Sequence, residues 1–237
     1  MTTALVTGAT SGIGRAIALA LAAAGYRTLA LGRNMAALDE LRSIPNIVPL
    51  AADVADREAI SALIDGLEID VLVNNAGVVP PVATFADTPE AEIDATIEVN
   101  LSAALHLTHA LVPGMIARGR GDVIFTGSTA AHAPGAKYAI YAASKAGIAA
   151  FATALRAELS PAGVRVTEIV PGRVETPLYK DVLDDEQRAL MYANAQAVQP
   201  EEVAAMVLAA LSLPQGTTVA RFDIIPTRPT TPAGARK

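Results

Sequence analysis

The sequence predicts an α/β fold: one domain built on a parallel sheet of about seven strands, with helices on both faces. Three observations carry that expectation. Short apolar runs alternate with longer stretches of helical pattern along the chain. The runs are continuously apolar, as strands are when both sheet faces are covered. No linker, repeat or low-complexity insert divides the 237 residues. A domain over 1–226 is therefore expected. The polar stretch 227–237, with Pro229 and Pro232, reads as a tail.

The elements follow in order. A strand over 5–7 leads into an Ala-rich helix over 13–24. A second strand, 28–31, precedes a helix over 34–43 that Pro45 stops. A third strand covers 47–51 and a helix 56–67; the fourth strand, 70–73, ends at Asn74-Asn75. Helical pattern then runs through 91–118, where Pro113 is expected to bend the helix or open its last turns. A fifth strand, 123–126, precedes a helix over 140–159 closed by Pro161 and Gly163. A strand over 164–170, a helix over 200–213 and a strand over 220–225 complete the pattern.

Composition narrows the function. Hydrophobic residues make up 52% of the chain, yet aromatics are only 4% and Trp is absent. The core is thus large but built from small aliphatic side chains, which suits helices packed closely on a sheet. The net charge is -6 and no Lys/Arg run forms a footprint for a phosphate backbone, which argues against nucleic acid. Cysteine is absent, which excludes disulfides and thiol chemistry. No signal peptide opens the sequence, and no stretch of eighteen apolar residues has the character of a membrane span. A cytoplasmic protein with no membrane partner is expected.

The stretch Thr7-Gly8-Ala9-Thr10-Ser11-Gly12-Ile13-Gly14 directly follows the first strand and opens the first helix. Glycines there let the backbone turn tightly and approach a pyrophosphate, which rests on the helix N-terminus. The spacing is Gly-x3-Gly-x-Gly, and the context is that of a Rossmann-type, doubly wound dinucleotide fold. An NAD site usually places an acid about 20 residues beyond the glycines, at the end of the second strand. Here that strand ends Leu31-Gly32-Arg33-Asn34, and no acid occurs between Gly14 and Asp39. Gly32 leaves room, and Arg33 can meet a 2′-phosphate with a charge-assisted fork, helped by Arg15 and Ser11. NADP(H) is expected in preference to NAD(H).

Tyr141-Ala-Ala-Ser-Lys145 places a phenol and an ammonium four residues apart on one helix face, with Ser128 thirteen residues upstream. An ammonium near a phenol favours the phenolate and lowers a pKa that starts near about 10. That makes a proton donor and acceptor usable near neutral pH.

Taken together these residues resemble the short-chain dehydrogenase/reductase family, over nearly the whole chain. The matching motifs, in order, are Thr7-Gly8-x3-Gly12-x-Gly14, Asp53-Val54, Asn74-Asn75-Ala76-Gly77, Asn100, Ser128, Tyr141-x3-Lys145 and Pro171-Gly172 with Thr176. The resemblance implies roles for them. Asp53 would bond the adenine amino group, and Val54 would pack on the ring. Asn75, Ala76 and Gly77 would line the adenosine ribose and steady the strand end. Pro171, Gly172 and Thr176 would contact the nicotinamide carboxamide and the diphosphate, with Val174 in the same cofactor-binding stretch. Asn100 would hold a water in a proton relay. Ser128 would hydrogen-bond a substrate carbonyl and Tyr141 would protonate it as hydride arrives. Lys145 would hold the nicotinamide-ribose hydroxyls and lower the Tyr141 pKa. The implied activity is an NADP(H)-dependent interconversion of a carbonyl and a secondary alcohol. A 3-oxoacyl-type reductase, or a non-catalytic NADP-sensing regulator on the same fold, are the alternatives. A homo-oligomer, tetramer or dimer, is implied as well.

The stretch 176–199 is the expected substrate lid. Leu178, Tyr179, Val182, Leu183, Leu190, Met191 and Tyr192 either form its apolar wall or simply pack. The ending, from Gln199-Pro200-Glu201-Glu202 to Phe222-Asp223-Ile224-Ile225-Pro226, resembles the shorter branch with serine and 3-hydroxy acid dehydrogenases and carbonyl reductases. Tyr138 reads as a pocket-wall residue, and His132 as a loop residue within reach of substrate. His106 and His109 lack a set of metal ligands around them and read as surface or packing residues, so no metal is expected. Asp184-Asp185-Glu186 and Glu201-Glu202 read as acids favoured at helix N-termini.

Overall fold

The computed structural model describes residues 1–180, 182–193 and 197–227. Among them, β1 (Thr3–Thr7), β2 (Arg27–Gly32), β3 (Ile47–Ala51), β4 (Val71–Asn74), β5 (Gly121–Thr126), β6 (Val164–Pro171) and β7 (Arg221–Ile224) form one parallel sheet. The strand order is β3-β2-β1-β4-β5-β6-β7. The chain therefore winds outward in both directions from the β1–β4 pair, where Leu5 lies opposite both Leu29 and Leu72. A crevice opens at such a switch point, beyond the carboxyl ends of the strands. Pro49 sits in β3, an edge strand, where a missing N–H breaks no central ladder.

The helices are α1 (Gly12–Ala23), α2 (Met35–Arg42), α3 (Arg57–Ile64), α4 (Glu90–Ile97), α5 (Ala103–Arg118), α6 (Ala139–Leu159), α7 (Asp185–Tyr192) and α8 (Pro200–Ser212). Successive strand side chains point to opposite faces, so the sheet sorts its residues. Ala4, Val6, Ala30 and Val73 face α1 and α8, whose Ala16, Ala18, Ala22 and Ala204 complete that core. Leu5, Leu29, Leu72, Val123 and Phe125 face α3, α5 and α6. The alanines are thus concentrated on one face, where small side chains bring helices close to the sheet. On the other face Phe125 meets Phe151 edge-on, with ring centroids 5.6 Å apart.

The opening of the long helical stretch expected at Pro113 is not found. α5 runs through Pro113 without opening and ends at Gly119, whose φ of 66° closes it. Pro113 is exposed, and so is His109, whose carbonyl the missing N–H would have served; water can take its place. The irregularity lies upstream instead, where Glu98–Ser102 forms a π turn and the Ala103 N–H bonds to the Glu98 carbonyl. By length and composition alone, Glu90–Arg118 contains an eighteen-residue window apolar enough to cross a membrane. That apolarity has a use in the fold, since Leu107, Leu111 and Met115 lie in the core against the sheet.

Arg165 on β6 ties the far end of the domain together. It is 4% exposed, its Nε lies 2.6 Å from Asp122 Oδ1, and its Nη1 donates to the carbonyls of Leu213, Pro214 and Thr217. The proposed tail falls outside the described residues beyond Thr227.

Candidate active site

At the carboxyl ends of the strands lies a groove of about 680 Å³. It is lined by Gly8, Thr10, Ser11, Gly12, Ile13, Arg33, Asp53, Val54 and Asn75 to Gly77, then by Ser128, Tyr141, Lys145, Pro171, Gly172, Val174 and Thr176. Sequence positions 130 apart and more are thereby brought to one surface. Of the residues expected to act here, only Gly14 and Asn100 stand behind it.

Gly8 begins the first loop at a φ of 66°, and a Cβ there would sit 2.9 Å from Ala76 Cα. Gly14 has a packing role: a Cβ on it would run into the Gly8 carbonyl and the Asn75 amide. These two positions set the close approach of β1, the loop and the end of β4. They leave a cradle over the N-terminus of α1 that fits a pyrophosphate. The Ser11 side chain makes no cap bond to α1.

At the end of β2, Arg33 Nη1 lies 3.1 Å from Asp53 Oδ2. Arg15 does not join them, since it reaches Glu40 at 3.6 Å. The room expected beside Gly32 is taken by the Thr10 methyl, 2.5 Å from where a Cβ would stand.

The strand ends are tied by one threonine. Thr7 Oγ1 accepts from the Asn75 N–H at 2.9 Å and the Ala76 N–H at 3.0 Å, and donates to the Val73 carbonyl at 3.3 Å. Asn75 Nδ2 donates to the Thr7 carbonyl, and Thr126 Oγ1 donates to Asn75 Oδ1. Asn75 thus steadies β1, β4 and β5 together. Asn100, in the π turn and 2% exposed, clamps the next loop. Its Oδ1 accepts from the Val78 N–H at 2.7 Å, and its Nδ2 donates to the Val78 carbonyl and the Ser144 hydroxyl. Both N–H donors of the side chain are thereby used on protein groups.

Ser128, Tyr141 and Lys145 converge from the end of β5 and the first turns of α6. Ser128 Oγ accepts from the Ala130 N–H at 3.1 Å, which fixes its rotamer beneath the groove. Lys145 is 5% exposed and donates to the Thr126 carbonyl at 2.8 Å, leaving two further N–H donors. Its ammonium lies 5.9 Å from the Tyr141 ring centroid. Burial pulls Lys145 down from 10.5 to about 8, with Glu168 opposing. Burial also pushes the Tyr141 phenol above its usual value, against a hydrogen bond with Ser128. The expected depression of Tyr141 by Lys145 is therefore not found. Both groups are dehydrated, and the ammonium points at a carbonyl rather than at the phenol.

The lid divides. Leu178, Tyr179 and Val182 line the groove, whereas Leu190 is 72% exposed on α7. Tyr192 donates to the Thr176 carbonyl, and Arg173 to the Met191 carbonyl, so both tie the lid to its base. Residues 181 and 194–196 of the expected lid lie outside those described. Asp184 caps α7 in a reciprocal pair with Gln187, and on α8 the Glu202 carboxylate accepts from the Gln199 N–H at 2.7 Å. Tyr138 faces a small separate cleft with Pro80, Pro81 and Phe85. His106 and His109 are exposed on α5. His132 turns away from the groove, its Nε2 3.9 Å from Glu168 Oε1. Glu168 was not foreseen; its signal was an acid inside the apolar run Val164-Arg165-Val166-Thr167-Glu168-Ile169-Val170.

The parallel sheet with its crevice at β1 and β4, the glycine cradle and the Ser/Tyr/Lys cluster define a Rossmann-like oxidoreductase fold. Residues 2–187 match the family described as short chain dehydrogenase. The chain belongs to the short-chain dehydrogenase/reductase family. It is 47% identical over 225 residues to a short-chain type dehydrogenase/reductase of Sinorhizobium fredii, covering 94% of this chain and 91% of that one. It is 34% identical over 232 residues to the NADP-dependent 3-hydroxy acid dehydrogenase YdfG of Salmonella typhimurium, covering 94% of each. The closed form of a serine dehydrogenase complexed with NADP+ superposes with a TM-score of 0.93 at 32% identity, over 100% of this chain and 99% of that one.

Proposed function

We propose that this oxidoreductase interconverts a carbonyl and a secondary alcohol with NADP(H), acting on a small ketone, aldehyde or 3-hydroxy acid. The observation that carries the reading is the convergence of Ser128, Tyr141 and Lys145 on the groove that also holds the glycine cradle and Arg33. When bound, NADP(H) supplies or accepts the hydride. Gly8, Gly12 and the N-terminus of α1 hold its diphosphate, and Arg33 meets the 2′-phosphate. Lys145 uses its two remaining N–H donors on the nicotinamide-ribose hydroxyls. Ser128 and Tyr141 grip the substrate oxygen, Ser128 by a hydrogen bond and Tyr141 as the acid that protonates it. Burial holds the phenol in its protonated form, which is the form carbonyl reduction consumes. Leu178, Tyr179 and Val182 offer a largely apolar wall that excludes water. The names of the two NADP-linked relatives, a 3-hydroxy acid dehydrogenase and a serine dehydrogenase, support both the cofactor and the substrate class.

The test is a panel of carbonyls and alcohols followed by NADPH absorbance, run on wild type and Tyr141→Phe. Turnover in the wild type is expected, with a loss of about 10²–10⁴ in the variant at unchanged NADPH affinity. Turnover that survives in Tyr141→Phe would remove the acid/base assignment.

A further inference from the structure

We infer that Glu168 is a positioning residue of the site: its buried carboxylate, lodged behind Gly127 and facing His132, fixes the charge state of Lys145. Among the described residues, the buried set contains one carboxylate, Glu168, and two cations, Lys145 and Arg165. Arg165 is matched by Asp122. Among the described residues Lys145 has one hydrogen-bond partner, the neutral Thr126 carbonyl. Glu168 is thus the buried negative charge left to balance Lys145.

The placement follows from the strand. Val164, Val166 and Glu168 alternate onto the sheet face covered by α6, the helix that carries Lys145. Glu168 is 2% exposed, and its Oε1 has no hydrogen-bond partner among the described residues. A buried acid oxygen without a bond gives the fold nothing in return for its dehydration, so a purely architectural role is poorly served by it. The slot it occupies exists because the residue before Ser128 is glycine. A Cβ on Gly127 would collide with Glu168 Oε1. The same carboxylate therefore abuts the backbone that carries Ser128, and its field reaches Lys145.

Among the described residues, charged groups face Glu168 from the loop after β5, from α6 and from β7. His132, on the loop after β5, lies 3.9 Å away. On α6, Lys145 feels its charge, and Arg156 is held by the Val166 and Ala220 carbonyls. On β7, Arg221 and Asp223 pair with each other at 2.7 Å. Burial raises the Glu168 carboxyl, while His132, Arg221 and Arg156 oppose that rise. Glu168 in turn opposes the burial that lowers the Lys145 pKa.

The charge relation belongs to the protein without ligand, whereas its effect on turnover rests on the reading of Tyr141 and Lys145 given above; the two can fail separately. The chain has four lysines, at positions 137, 145, 180 and 237. Carbon-13 labelling of lysine thus gives four Cε signals, and loss of one in Lys145→Met assigns the buried residue. Titration of the unliganded chain should show Lys145 with a midpoint near 8 in the wild type. In Glu168→Gln that midpoint is expected to fall by roughly half a unit or more, about threefold in proton affinity. Glu168→Asp, which keeps the charge, should restore most of it. The alkaline limb of NADPH binding should move with the midpoint, which a mere packing defect would not produce. An unmoved midpoint in folded Glu168→Gln overturns the inference. A Glu168 carboxyl signal that stays protonated at pH 8 in the wild type overturns it as well, and that measurement needs no variant.

Discussion

The Arg33 guanidinium lies 3.1 Å from the Asp53 carboxylate across the mouth of the groove. The side chain expected to meet a 2′-phosphate and the one expected to meet adenine are thus a single ion pair in the chain. Both are substantially exposed, so the pair itself adds little to stability. Its value is orientation. In the function proposed above, Arg33 would exchange this carboxylate for a 2′-phosphate of higher charge. Arg33→Ala is expected to weaken NADPH by roughly 2 kcal/mol, about thirtyfold, and to leave NADH almost unchanged. Fluorescence titration of both nucleotides checks this. Tighter binding of NADH than NADPH by the wild type would reject the assignment.

Lys145 makes a pH prediction. Its folded pKa, about 8, lies below the ordinary 10.5. Between those values the unfolded chain holds a proton that the folded chain has released. Stability contributed at this position therefore rises with pH across that window. The stability of the wild type minus that of Lys145→Met should increase by roughly 2–3 kcal/mol from pH 8 to pH 10. The tyrosines raised by burial act with the opposite sign above pH 10, so the comparison stops there. Urea unfolding of both proteins at each pH measures it; a flat difference would contradict the buried ammonium.

Asn100 clamps both polar groups of Val78. Asn100→Ala strips partners from that N–H and that carbonyl, and from the Ser144 hydroxyl beside Lys145. A loss of about 3 kcal/mol in urea unfolding is expected, with weakened NADPH binding because the loop after β4 lines the groove. Wild-type stability in this variant would mean that the clamp is idle.

Arg165 carries the opposite kind of test, one of pure architecture. Arg165→Met leaves the Asp122 carboxylate unmatched and three carbonyls after α8 without their donor. About 3–5 kcal/mol of destabilisation is expected, and the double variant with Asp122→Leu should recover much of it. Thermal unfolding of the single and double variants reads the difference.

What could be read in advance was whatever is local. The Gly8–Gly14 turn and the Tyr141–Lys145 spacing depend on a few neighbouring residues and on helical periodicity, so the chain displays them directly. The two-sided sheet was legible for the same reason, in apolar runs such as Leu29–Leu31 that never alternate. The pairing of Arg33 with Asp53 spans 20 positions, and the grip of Asn100 on Val78 spans 22. No periodicity records such meetings. No breaker residue marks the π turn at Glu98–Ser102, whereas the visible breaker, Pro113, sat where water could satisfy the helix. Tyr141 and Lys145 do meet at the groove, but their electrostatics could not be read, because spacing reports proximity and says nothing of dehydration.

Thr7 shows where a functional survey would mislead. Its one hydroxyl ends β1 by serving backbone groups of Val73, Asn75 and Ala76. A screen that scores only turnover would rank Thr7→Val beside Tyr141→Phe and count both as chemistry. The difference lies in heat: the first would fail by melting early, the second at full stability.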